Sequence, residues 1–191
     1  VYGDSSNLPC SENSNDLKPK SPYAESKLKN EMYAKKSKFD RMSVVGLRLF
    51  NIYGPMQNGN SEYSAVIAKW ISLLKKKKEC LIYGLGDAER DFCYVEDLCE
   101  LLLLIMDSKT RSGIFNFCTQ KPISMNNLFK LINKIMKKKN NNFCEQKPIF
   151  KKSRKGEIKK SFGDNSLLKK TFNFVPKISI EDGIKKMVFL N

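Results

Sequence analysis

Apolar residues fall in two rhythms along this chain, and the change of rhythm marks the elements. From Tyr23 to about Ser37, YAESKLKNEMYAKKS, apolar or aromatic positions recur at helical spacing, which predicts a helix. Ser43 to Phe50, SVVGLRLF, is β-branched and nearly continuous, as expected of a buried parallel strand, and NIYGP then breaks it. Glu62 to Lys75 reads as a helix carrying the single tryptophan, Trp70. ECLIYG predicts a short strand before the turn GLGDAER, DFCYV a strand, EDLCELLLLIMDS a helix and GIFNFC another strand. SMNNLFKLINKIMKK predicts a helix with Ser124 as its N-cap. A basic loop follows, then two short helical stretches around NSLLKKTF and SIEDGIKKMVFL. The opening Val1 to Pro22 is polar and turn-rich, so it reads as an irregular loop. Helices alternate with strands, the class is α/β, and no internal repeat is visible.

Composition narrows the functions. The 191 residues suffice for one well-packed domain or two small lobes sharing a core. The run LLLLIM, Leu101 to Met106, is far too short to span a bilayer, so no membrane partner is expected. The net charge of +15 invites a nucleic-acid reading, but only five of the 35 basic residues are arginine, the residue that bidentate phosphate or guanine readout favours. Lysines interleaved with asparagine, as in KIMKKKNNNF, read instead as a solvated surface, able to attract anionic nucleotides at long range. The six cysteines show no CxxC pair, which favours reduced thiols in a cytosolic protein over a zinc site or disulfide framework. With no histidine at all, imidazole triads and imidazole metal sites are excluded.

A general base must therefore come from Tyr, Lys, Asp, Glu or Cys. SPYAESK, Ser21 to Lys27, places Tyr23 and Lys27 one helical turn apart. An ammonium beside a phenol favours the phenolate, which a base working near neutral pH requires. The pair alone carries little weight, because this many tyrosines and lysines predict about one such spacing by chance.

The ordered series VYGD, SPYAESK, GLRLFNIYGP, GDAERDFCYVEDL, FNFC and RKGEIKKSFGD resembles the extended short-chain dehydrogenase/reductases of the NAD-dependent epimerase/dehydratase family. Within it, the nucleotide-sugar 4-epimerases look most similar, those acting on UDP-N-acetylhexosamines in particular. The likeness runs nearly end to end and corresponds to the C-terminal three-fifths of such an enzyme. It implies the end of a Rossmann-like NAD domain over 1–60 and a nucleotide-sugar-binding domain mainly over 61–191, and leaves open that some later segments return to the Rossmann sheet. It also implies a UDP-sugar substrate, NAD as cofactor, a cytoplasmic enzyme, and a homodimer through the tyrosine-bearing helix and its neighbour.

The same resemblance assigns roles. Tyr23 would take the sugar 4-hydroxyl proton while carbon 4 is oxidised by NAD, then return it after the flat 4-keto sugar has turned over. Lys27 would support the tyrosinate and bind the nicotinamide ribose, and Phe50 would border the cofactor. Asn51 ends the strand GLRLF at its carboxyl end, where open α/β sheets place ligands, and by resemblance gives its amide to the nucleotide-sugar phosphates. Ala65 and Val66 would contact the nucleotide through the backbone. Trp70 either contacts the nucleotide directly or is ordinary helix core. Arg90 and Arg154 would grip the diphosphate, since planar bidentate geometry is what arginine offers over lysine. Glu157 stands where an acidic residue binds the ribose hydroxyls, although the commoner form has Asp. Tyr83 would lie beside the uracil. Ser161 borders the sugar, and a small residue there favours UDP-GlcNAc/UDP-GalNAc or their uronic acids. Asp91 and Asp97 are expected to brace the fold.

The family's glycine-rich phosphate loop, GxxGxxG, is nowhere in these residues, and its catalytic Ser or Thr would fall a few residues before Val1. The chain opens on VYGDSS rather than on methionine, so it reads either as a piece of an active enzyme or as a truncated remnant. Two alternatives stay open: a nucleotide-sugar 4,6-dehydratase, and a non-catalytic basic domain that binds nucleic acid.

Overall fold

The computed structural model describes residues 1–14, 17–36, 43–58, 66–109, 112–153 and 156–189. Along the chain run α1 (Pro22–Lys36), β1 (Val44–Leu49), β2 (Asn51–Tyr53), α2 (Val66–Lys75), β3 (Leu81–Tyr83), β4 (Glu89–Arg90), β5 (Phe92–Tyr94) and α3 (Val95–Asp107). Then come β6 (Ser112–Phe117), β7 (Ile123–Ser124), α4 (Met125–Lys139), β8 (Ile149–Lys151), β9 (Lys160–Ser161), α5 (Ser166–Phe172) and α6 (Ile180–Phe189). The expected α/β alternation is present. Ser37 and the first turn proposed for the second helix, 62–65, lie outside the described residues.

Parallel pairing dominates the sheets. β1 runs beside β6 from Val44↔Ser112 to Leu49↔Phe117, β2 beside β5 and β3 beside β8, all parallel. β4 lies between β7 (antiparallel) and β9 (parallel), with Arg90 opposite Ser161 in β9. The sequence NIYGP does not simply break the strand. The Phe50 amide still donates to Phe117 O at 3.1 Å, and the next residue starts a new ladder, Asn51↔Phe92. The chain thereby passes from one small sheet into another with Asn51 at the changeover. β4, within the stretch read as the turn GLGDAER, and β7, β8 and β9 were also not expected, because none of them carries the three-residue apolar run of β3 and β5.

Two hydrophobic cores flank that changeover. One gathers Tyr53, Ile67, Trp70, Leu74, Ile82, Leu128, Ile132 and Ile184 from α2, α4, α6 and the short strands. The other gathers Tyr2, Cys10, Phe50, Cys93, Leu101, Phe115, Phe117, Leu168 and Phe172. Cys93, Leu101, Phe115, Phe117, Cys118, Leu168, Phe172 and Phe174 thus share a core with Tyr2, Cys10 and Phe50. β1 is less buried than its composition suggests. Leu49 is 50% exposed, since among the described residues β1 has β6 as its one sheet neighbour. No helix of the described residues is long and apolar enough to cross a membrane.

Candidate functional site

Local chemistry starts α1 where the site needs it. Ser21 Oγ accepts from the Ala24 amide at 3.1 Å, Pro22 takes the first helical position, and Glu25 sits in the first turn. Tyr23 and Lys27 then share a face, with the Lys27 ammonium 5.2 Å from the centre of the Tyr23 ring. Tyr23 is 72% exposed, free to meet a ligand. Glu31, one turn further along the same stripe, meets β1: Arg48 donates to its two carboxylate oxygens at 2.9 and 2.8 Å.

A cavity of about 610 Å³ opens between this stripe and β1, along the strand from Val44 to Asn51, within the roughly 300–1,000 Å³ usual for small-molecule sites. Tyr23, Lys27, Phe50, Asn51 and Ser161 all line it, together with Val1–Gly3. Five side chains selected from the sequence, spread over 139 positions, therefore converge. Phe50 is otherwise buried, stacked on Tyr2 with ring centres 6.2 Å apart.

Asn51 is exposed, but its amide nitrogen donates to the main-chain carbonyl of Asp91 at 2.7 Å. That bond fixes β2 against the strand carrying Arg90. The Asp91 carboxylate accepts from the Thr119 and Gln120 amides at 3.0 and 2.8 Å and from the Thr119 hydroxyl. Burial pushes its carboxyl up, and those donors pull the other way. Asp97 accepts the Ile178 amide at 3.0 Å. Both aspartates hold backbone in place.

Arg90 is half-buried, and its guanidinium donates to the carbonyls of Glu89 and Lys159 at 2.8 and 3.3 Å. Desolvation lowers it from the ordinary arginine value, against the opposing field of Glu157 and then Asp4. Arg90, Glu157 and Ser161 therefore occupy one neighbourhood. Tyr83 is half-buried in β3, opposite Lys151, and the turn after it passes Ser153. Val66 opens α2 partly buried against the first core. Trp70 belongs to the core: it is 3% exposed, packs edge-on against Phe129 at 5.3 Å, and donates to Leu81 O at 3.3 Å. Of its two sequence readings, the structure gives helix core. Ala65 and Arg154 lie outside the described residues.

Sequence reasoning passed over Arg48. It is 8% exposed, forked onto Glu31, and donates to the Tyr2 hydroxyl at 2.8 Å. The signal was present: an arginine inside the apolar run SVVGLRLF must find a buried partner.

Known proteins resemble this chain over nearly its whole length. The family model described as GDP-mannose 4,6 dehydratase matches residues 1–187. A curated relative, the putative UDP-glucose 4-epimerase of Methanocaldococcus jannaschii, is 32% identical over 98% of this chain and 58% of its own length. The solved UDP-N-acetylglucosamine 4-epimerase of Methanobrevibacter ruminantium, in complex with UDP-N-acetylmuramic acid, superposes with a TM-score of 0.88. It is 32% identical, over 99% of this chain and 59% of that one. The UDP-glucuronic acid 4-epimerase of Bacillus cereus, solved with UDP-glucuronic acid and NAD, gives a TM-score of 0.82 at 26% identity, over 99% and 57%. The chain thus spans a little under three-fifths of these relatives.

Proposed function

The chain belongs to the family of NAD-dependent nucleotide-sugar epimerases and dehydratases, and within it we propose that these residues are the C-terminal part of a UDP-sugar 4-epimerase acting on UDP-GlcNAc/UDP-GalNAc or the corresponding uronic acids. The observation that carries the reading is the single cavity lined by Tyr23, Lys27, Asn51 and Ser161. Residues 1–60 would close the cofactor domain. Most of 61–191 would hold the nucleotide sugar, while Cys93, Leu101, Phe115, Phe117, Leu168 and Phe172, which share a core with Tyr2 and Phe50, would belong to the cofactor side.

The aromatic and cationic lining fits the nicotinamide-ribose end of NAD: Tyr23, Lys27 and Phe50 would hold it, whereas a glycine-rich loop for its pyrophosphate is not part of this sequence. When bound, NAD supplies the reversible two-electron oxidation of carbon 4. Tyr23 takes the proton of the 4-hydroxyl, then returns it to the carbonyl oxygen after the sugar has turned its other face. Lys27 keeps a positive charge beside the phenolate that accepts this proton and that is regenerated when the proton is returned, 5.2 Å from its ring centre. Arg90, with Arg154, compensates the diphosphate charge, and Glu157 and Tyr83 receive the ribose and uracil. Val66, Ala65 and Asn51 border the same nucleotide. Ser161, opposite Arg90 in the β4–β9 ladder, leaves room for a 2-acetamido group.

The dehydratase reading has its own support in the description of the matching family model. Products separate the two. The complete enzyme containing this chain should interconvert UDP-GlcNAc and UDP-GalNAc, whereas accumulation of a 4-keto-6-deoxy sugar would replace the proposal with a dehydratase. Tyr23→Phe should reduce turnover to a small residual rate and leave UDP affinity within about twofold. Salt-dependent oligonucleotide binding with no affinity for UDP would overturn both enzyme readings.

A further inference from the structure

We infer that Arg48 is a positioning residue, which sets the roll of the catalytic helix through Glu31 and couples it to the segment that borders the sugar. The inference rests on the reading of Tyr23 and Lys27 given above. Tyr23, Lys27 and Glu31 recur every fourth residue, so one stripe of α1 carries all three, and all three line the same cavity. None of the fifteen residues of α1 is buried, so apolar packing does little to fix its rotation. The fork from Arg48 does: Nε donates to Glu31 Oε1 at 2.9 Å and Nη2 to Oε2 at 2.8 Å. Two parallel bonds resist rotation in a way that one point contact cannot.

Arg48 is itself held from the other side. Nη1 donates to the Tyr2 hydroxyl at 2.8 Å, and the guanidinium lies 4.8 Å from the centre of the Tyr2 ring. The Tyr2 hydroxyl donates to Asn116 Oδ1 at 2.7 Å, and Asn116 Nδ2 donates to Cys10 O and Asp164 O at 2.9 and 3.1 Å. Asp164 follows Ser161 by three positions, and its amide returns to Cys10 O at 2.8 Å. A continuous, largely buried chain of hydrogen bonds thus joins the helix bearing the base to Asp164, three residues beyond Ser161, which ends the strand at the sugar. A shift of Tyr23 by a fraction of an ångström would matter to the proton it transfers and little to nucleotide affinity.

Arg48→Lys is the informative change, because it keeps the buried charge and removes the fork. In the complete enzyme it should lower kcat about 10-fold or more, with KM for the UDP-sugar within about twofold and the melting temperature nearly unchanged. Placed in a Tyr23→Phe background it should cost nothing further in residual rate. In the 191-residue chain, hydrogen exchange in Arg48→Lys should quicken at the amides of α1 and stay as it was in β6. Unchanged kcat, or additive losses in the double variant, or unchanged exchange in α1, would overturn the proposal. If the parent enzyme turns over no nucleotide sugar, the functional reading fails by itself, and the exchange experiment still decides whether Arg48 orders the helix.

Discussion

α1 and α4 are both lysine-rich helices of fifteen residues, and they are held in opposite ways. α4 buries Leu128, Phe129, Ile132, Asn133, Ile135 and Met136 against α2, α6 and the short strands, whereas α1 buries nothing. Isolated helices of about 12–15 residues are marginal in water, so packing is what secures α4. α1 relies on its serine cap and on the Arg48–Glu31 fork, and it leaves Met32 and Tyr33 49% and 72% exposed. The scaffold and the chemistry have been placed on elements of different stability. A residue that must reach a ligand belongs on an open face, and that face then contributes little to folding.

The sharpest way to break the comparison is to truncate one apolar side chain in each helix. Ile132, fully buried, should cost about 2–5 kcal/mol as Ile132→Ala in a urea titration. Leu28→Ala in α1, only partly buried, should cost less than about 1 kcal/mol. Equal losses would mean that α1 is as firmly packed as α4.

Alkali should find the same well-packed region. Burial pushes the Cys80 thiol up to about 11, against about 8.5 in an unfolded chain. Between those values the folded chain keeps a proton that the unfolded chain has released. Stability is therefore complete below about pH 8.5 and falls as pH rises toward 11, by up to roughly 1.4 kcal/mol per unit. Buried Cys93, Cys118 and Tyr53 are pushed in the same direction and add to the loss. Urea midpoints at pH 8 and pH 10 measure it. Cys80→Ala should reduce the drop, and an undiminished drop would assign it to the other groups.

Much of this organisation was legible in the residues, for identifiable reasons. α4 announces itself through apolar residues at helical spacing and Ser124, whose hydroxyl does accept the Asn127 amide at 3.2 Å. SVVGLRLF and GIFNFC stand out as strands because their β-branched and aromatic runs are nearly continuous and bounded by turn residues. Tyr23, Lys27, Asn51 and Ser161 were found through motifs and do meet at one cavity. The ladder change at Asn51 and the strands β4, β7, β8 and β9 were hidden, since their pairing is decided by partners distant in sequence and no apolar run marks them. Arg48 was missed for another reason. Arginine was read as a mark of phosphate binding, while this guanidinium forks onto a carboxylate 17 positions away.

The finest test compares two caps of the same geometry. Ser21 accepts from the amide three residues on at 3.1 Å, and Ser124 from its counterpart at 3.2 Å. Each bond satisfies one of the orphan donors at a helix start, and either serine changed to alanine removes about 1 kcal/mol locally. In α4 that loss must appear in global stability, because the first turn carries Leu128 into the core and cannot fray without exposing it. In α1 the first turn carries Tyr23 and no buried side chain, so it can open by itself. Ser124→Ala should lower the urea-derived stability by about 1 kcal/mol, while Ser21→Ala should leave it within a few tenths and speed hydrogen exchange at Ala24 and Glu25. In the complete enzyme, Ser21→Ala should then reduce kcat several-fold, because the turn that frays is the one that presents the base. Equal global losses from the two serines would show that α1 unfolds only with the core.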